Sequence, residues 1–275
     1  MNTHRTNISL SKNIICRSTT VPQSNTATSA VGDSDPKPRA MSLLAIALDF
    51  QKRFLQAEDR IELDNAIRYI KQAMNLLHNK HLARAKALLY MGVCLTLGFR
   101  DNTGRRELYR RIECLEEVLK LVPEGHPETL ISLGILVDGL YARFKQTGDR
   151  SDLDQSINYG RRVLDLRPEG YLDRSTSLCS LATGLLTRFQ QNGGRSDLDH
   201  SVKYHRQALD LRPEEHPDRS VSLSHLANGL LTRFEQNRDG CDLDTSINYY
   251  KEVLDLVPGG HANRSASLPN FANGL

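Results

Sequence analysis

"DRSTSLCSLATGLLTRFQQNGGRSDLDHSVKYHRQALDLRP", residues 173–213, divides into two amphipathic stretches separated by a glycine pair and closed by a proline. In the first stretch Leu178, Leu181, Ala182, Leu185 and Phe189 fall at i, i+3, i+4, i+7 and i+11, one stripe of a 3.6-residue helix. Gly193 and Gly194 suit a helix C-terminus, where glycine closes the last turn without a side-chain clash. In the second stretch Leu198, Val202, His205 and Leu209 make a stripe at i, i+4, i+7 and i+11. Pro213 stops it, because proline disfavours helical geometry in the residue before it. The order is helix A, loop, helix B, proline.

The same text recurs along the chain. Phe54, Phe99, Phe144, Phe189 and Phe234 lie 45 residues apart, and so do Leu63, Leu108, Leu153, Leu198 and Leu243. Pro123, Pro168, Pro213 and Pro258 keep that interval, with no insertion or deletion in the register. A fixed period of this length marks a repeat architecture. One helix pair cannot bury its own stripes, whereas stacked neighbours share a continuous core. The expected fold is therefore an all-α, right-handed solenoid over residues 41–275, with five helix pairs and an unpaired terminal helix, eleven helices in all. That last helix, "ANRSASLPNFANGL" at 262–275, would place Leu268, Phe271, Ala272 and Leu275 in the core columns. It carries Pro269 inside the helix and only Arg264 as a charge, so a frayed end with possible self-association is expected there.

Composition narrows the function. The chain has 275 residues, 39% apolar and 25% charged, which are the values of a soluble protein. No apolar run approaches the roughly 18 residues of a membrane span, so a membrane role is not expected. The net charge of +3 belongs to residues 1–40, which hold five basic and two acidic residues; the rest holds 31 of each. A neutral body lacks the electrostatic footprint of a nucleic-acid binder. Residues 1–40, rich in Ser, Thr and Asn and closing on "DPKPR", offer too little apolar area to order and are expected to form a disordered tail. With no acid before Asp33, a mitochondrial presequence is the minor alternative to a cytoplasmic location. Cysteines 16, 94, 114, 179 and 241 show no CxxC and no short pairing, which fits a reducing compartment.

Recurrent polar residues have structural explanations. Glu62, Glu107, Asp152, Asp197 and Asp242 open helix B, mostly as "DLD", and are expected to cap it and oppose its dipole. A calcium loop would need a glycine and a distal Glu at set spacing, and neither is present. Histidines 81, 126, 216 and 261 share a loop register. Stacked helices stand about 8–10 Å apart, too far for equivalent imidazoles to meet at zinc distances of about 2.0–2.1 Å. Arg143, Arg188 and Arg233 precede the repeating Phe, while Arg84, Arg174, Arg219 and Arg264 open helix A; all are expected to pair with the helix-B acids. No Gly-rich phosphate loop appears, no cysteine stands in a nucleophile arrangement, and no polar set unique to one repeat is seen to converge. No enzyme, metal or cofactor is therefore expected.

These residues resemble a tetratricopeptide repeat. Ser201, Ala208 and Pro213 match the small–small–proline signature of helix B, as do Ala66 and Ala73 in the first repeat, and Leu178, Leu181–Ala182 and Leu185 match helix A. The repeat is longer than the family's usual unit of about 34 residues. "HPDRSVSLSHLANGLLTRFEQNRDGCDLDTSI" from His216 is similar to long-unit arrays of fungi that often precede a caspase-like CHAT domain. The resemblance implies a protein-binding scaffold, or alternatively the regulatory array of a larger signalling protein. It also implies that helix A lines a concave groove. The positions carried across are Leu89, Val93, Thr96 and Leu97; Gly134, Asp138, Tyr141 and Ala142; Cys179, Thr183, Leu186 and Thr187; and Ser224, Asn228, Leu231 and Thr232. That lining holds no lysine or arginine and lacks a carboxylate clamp, so an apolar peptide is the expected ligand.

Overall fold

A computed structural model describes residues 36–78, 82–98, 104–123, 125–167, 173–256 and 272. All regular structure among them is helical: α1 (Pro36–Ala57), α2 (Arg60–Leu76), α3 (Leu82–Leu97), α4 (Arg105–Leu121), α5 (Pro127–Thr147), α6 (Arg150–Leu166), α7 (Arg174–Asn192), α8 (Arg195–Asp210), α9 (Arg219–Asn237) and α10 (Gly240–Leu256). Helix B begins at residues 60, 105, 150, 195 and 240, so the 45-residue register of the sequence is the register of the fold. The described residues form an all-α array of tandem helix-turn-helix units. It forms two compact bodies that meet in sequence at Gly148 and Asp149, so α5 ends the first and α6 opens the second. The first helix starts at Pro36, inside the stretch assigned to the tail; residues 1–35 and the expected helix over 262–275 lie outside the described residues, apart from Ala272.

Packing follows the stripes. In the second body Phe189, Leu198, Val202, Leu209, Leu223, Leu226, Leu230 and Val253 form one buried cluster contributed by α7 to α10. The small-residue columns let helices approach. Ser201 donates its hydroxyl proton to Ala182 O at 2.8 Å, and Ser246 does the same to Ala227 O at 2.9 Å. Gly184 and Gly229 serve the contact to the preceding helix B: a Cβ there would stand 3.1 Å from Ile157 Cγ1 or 3.2 Å from Val202 Cγ2.

Helix ends correct one expectation. The residues that cap helix B are Asp59, Asp149 and Asp239, whose Oδ1 atoms accept from the backbone N–H two residues on, at 2.9, 2.9 and 3.0 Å. The register acids stand three residues later, in the first turn, where they meet arginine. Arg188 forms a two-point bridge to Asp197 (Nε–Oδ2 2.7 Å, Nη2–Oδ1 2.8 Å) and reaches Asp154 Oδ1 at 3.0 Å. Arg233 repeats this with Asp242, at 2.7 Å on both forks, and stands 3.8 Å from Asp199. Both acids of "DLD" are thus used: the first joins helix A to helix B within a repeat, and the second faces the arginine of the next. Two parallel, partly buried hydrogen bonds make each fork stronger than a single exposed pair.

The arginines that open helix A do something else. Arg84 Nη1 donates to Met74 O and Leu77 O at 3.2 and 3.3 Å, Arg174 Nη1 to Leu164 O at 3.0 Å, and Arg219 Nη1 to Arg212 O at 2.7 Å. They satisfy the carbonyls that end the preceding helix B, where a cation also opposes the dipole; Arg219 adds a bond to Glu252 at 3.1 Å. Arg264 lies outside the described residues.

Helix A ends on a left-handed residue at Glu58 (φ 54°), Gly148 (φ 75°), Gly193 (φ 71°) and Arg238 (φ 60°). The N–H of each donates at 2.7 Å to the carbonyl of the register Phe four residues earlier. Only glycine adopts this conformation without a Cβ penalty. Arg238→Gly should therefore raise the unfolding free energy by about 0.5–1 kcal/mol in chemical denaturation. A loss of stability would show that Arg238 contributes more through its position over the Phe234 ring, 5.6 Å from the centroid.

Candidate functional site

The expected groove positions separate by body. On α3, Leu89, Val93, Thr96 and Leu97 are all buried, and the Thr96 hydroxyl is spent on Gly92 O at 2.8 Å. They fill the core of the first body and line no open surface, because α3 is apolar on nearly its whole circumference. On α5, Gly134, Asp138, Tyr141 and Ala142 are half-buried. Asp138 has an inward task there: its charge acts on Arg111, a guanidinium only 2% exposed. Burial pushes Arg111 down to about 10, and Asp138 opposes that shift.

On α7 and α9 the expected positions stay within reach of solvent. Thr183, Leu186 and Thr187 on α7, and Ser224, Asn228, Leu231 and Thr232 on α9, are half-buried. Thr187 donates to Thr183 O and Ser224 to Ser220 O, both at 2.9 Å, so these hydroxyl protons are spent within their own helices. Asn228 Oδ1 accepts from the Tyr250 hydroxyl. What the face offers is leucine, threonine and the remaining acceptor sites.

One turn before Thr183, the remaining groove residue of α7 behaves differently. Cys179 is 9% exposed and meets two residues that the sequence reading did not join to it: His205 of α8, 1% exposed, and His225 of α9. One ligand atom from each, the thiol sulfur and two ring nitrogens, all lie within 4.8 Å of one another. The two imidazoles face each other with centroids 5.3 Å apart and planes tilted by 53°. Among the described residues, the buried Nδ1 of His205 and that of His225 find no hydrogen-bond partner. Burial pushes both imidazoles toward the neutral form, His225 down to about 4 and His205 well below its ordinary range, with the Arg212 charge adding to both and His225 adding to the shift of His205. Burial also raises the Cys179 thiol, while Arg212 and a contact with Ser222 Oγ at 3.7 Å pull it back. Arg212 itself is held by Ser222 Oγ at 2.6 Å, Asp218 O at 3.1 Å and Ser175 Oγ at 3.3 Å.

A signal for this trio was present in the columns. Where Cys179 stands, neighbouring repeats have Gly134 and Ser224; where His205 stands, Gly160 and Tyr250; where His225 stands, Ser180 and Asn270. Polar residues each found in a single repeat do converge, from two successive repeats, contrary to the sequence-based expectation. His205 was hidden because it occupies an apolar stripe. The loop histidines, by contrast, behave as loop structure: Nδ1 of His126 accepts from Glu128 N at 3.3 Å, and that of His216 from Asp218 N at 3.1 Å. His81 and His261 lie outside the described residues.

No family model matches the chain, and no curated protein matches it. Among solved structures it is similar to one described as "MamA RS-1 ArsTM double mutant", with a TM-score of 0.51 and 19% sequence identity over 82% of this chain and 96% of that one. At that identity the likeness concerns the fold alone, a repeat of paired helices. No described helix is long and apolar enough to cross a membrane.

Proposed function

We propose that the chain is a protein-interaction scaffold whose second body holds an apolar peptide against α7 and α9, with Thr183, Leu186, Thr187, Asn228, Leu231 and Thr232 as the contact surface. The observation that carries this is the register itself. Equivalent positions on successive A helices remain half-buried and free of lysine and arginine, while the same columns on α3 are buried. A periodic surface of leucine and weakly polar residues suits an extended or helical segment that presents apolar side chains at matching intervals. Leu89, Val93 and Thr96 leave the proposed surface; Asp138 and Tyr141 stay as its equivalents on the first body. Kinship with the long-unit fungal arrays belongs to the same proposal and is supported by the "HPDRS" and "DLD" text. So does a reducing, cytoplasmic setting, supported by the free thiols of Cys94, Cys114, Cys179 and Cys241.

Peptides selected from a random display library against the whole chain should carry apolar anchors. Leu186→Asp and Leu231→Asp should each weaken them by roughly 10-fold or more, the range of a lost interface anchor. Selected peptides that bind both variants as well as the parent would place the binding surface elsewhere.

A further inference from the structure

We propose that Cys179, His205 and His225 form a binding site for a single zinc-class metal ion, held between three consecutive helices of the second body. Three observations meet here. Three atoms of ligand type lie within 4.8 Å of one another, from α7, α8 and α9. His205 and His225 each bury an Nδ1 with no partner among the described residues, although a buried polar atom is normally satisfied. None of the three residues belongs to the repeat consensus, whereas core-packing positions such as Leu198 and Leu153 recur.

The donor set selects the ion. Two imidazoles and a thiolate suit Zn²⁺ or its spectroscopic substitute Co²⁺ and exclude Ca²⁺ and Mg²⁺, which take oxygen. Around zinc, bonds of about 2.0–2.3 Å require ligand atoms roughly 3.3–3.6 Å apart. The three ligand atoms, now within 4.8 Å of one another, close to that spacing when the ion binds. Binding through the thiolate releases the proton of the Cys179 thiol to solvent. Arg212 opposes a cation in this site, yet it favours the thiolate that the ion requires, and Ser222 stands between guanidinium and sulfur. With three protein ligands the fourth position is open to water.

The test titrates Co²⁺ and Zn²⁺ into the full chain after chelator treatment. Expected are one ion per chain, a sulfur-to-cobalt charge-transfer band with intense tetrahedral visible bands, displacement of Co²⁺ by Zn²⁺, and one proton released per ion. Cys179→Ser and His225→Ser each install a residue that another repeat already has in that column, so folding is retained. Each should weaken binding beyond the roughly 10–100-fold that loss of an outer-shell partner costs, and Cys179→Ser should abolish the charge-transfer band. His216→Ala should leave binding unchanged. Absence of binding, a cobalt spectrum without the sulfur band, or undiminished affinity in Cys179→Ser would overturn the site and leave the trio as core packing. The peptide surface of α7 and α9 stands or falls separately, since its variants replace none of the three ligands.

Discussion

Leu198→Ala should lower the free energy of unfolding by about 2–5 kcal/mol, measured by urea denaturation followed by circular dichroism. Leu198 is 1% exposed and belongs to the buried cluster that α7 to α10 contribute, together with Phe189, Val202, Leu226 and Leu230. Truncation removes three carbons' worth of transfer free energy and leaves a cavity that rigid flanking helices cannot close. A loss below about 0.5 kcal/mol, the range of an ordinary surface change, would mean that the stripe does not face this core.

The second large effect is expected at Arg111. In its column the other repeats have Ala66, Ser156, Ser201 and Ser246, and this arginine is nevertheless 2% exposed. It fits because the next helix A offers Gly139, where an added Cβ would stand 3.1 Å from Nη2 of the guanidinium. Arg111→Ala should cost about 2–4 kcal/mol, from the cavity left and from removing the cation that Asp138 faces. Arg111→Met fills most of the volume without a buried charge, and should stay within about 1 kcal/mol of the parent. If both variants lose equally, the guanidinium contributes through its charge and hydrogen bonds more than through volume.

Much of the fold was legible because a solenoid writes its geometry into a single period. Phe54, Phe144, Phe189 and Phe234 each stand three residues before the end of helix A, and the helix-B starts fall at the same interval. Two kinds of detail were not legible. Capping depends on which carboxylate meets an N–H, and the sequence places Asp149 and Asp152 within one turn of each other; only coordinates separate the cap from the arginine partner. Which columns face a groove depends on how deeply a helix is enclosed. The uninterrupted apolar text "ALLYMGVCLTL" of α3 already favours full burial over an open face. The Cys179–His205–His225 meeting combines residues from three helices, 46 positions apart at the extremes, and a polar residue on an apolar stripe gives no direction of its own.

The arginine forks have one more consequence. Arg188 bonds Asp197 of its own repeat and Asp154 of the one before, and Arg233 addresses Asp242 and Asp199 in the same way. The repeat that holds Arg188 therefore carries a socket for its successor, Asp199, and a plug for its predecessor, in one chemical pattern, whereas the second repeat has Gly98 in the arginine column and Tyr109 in the acid column. A stretch of 45 residues copied in tandem brings both halves with it, and the copy finds complementary charges on either side without further change. Gene duplication can lengthen or shorten such an array in whole steps where the copied repeat, like this one, holds both halves of the joint.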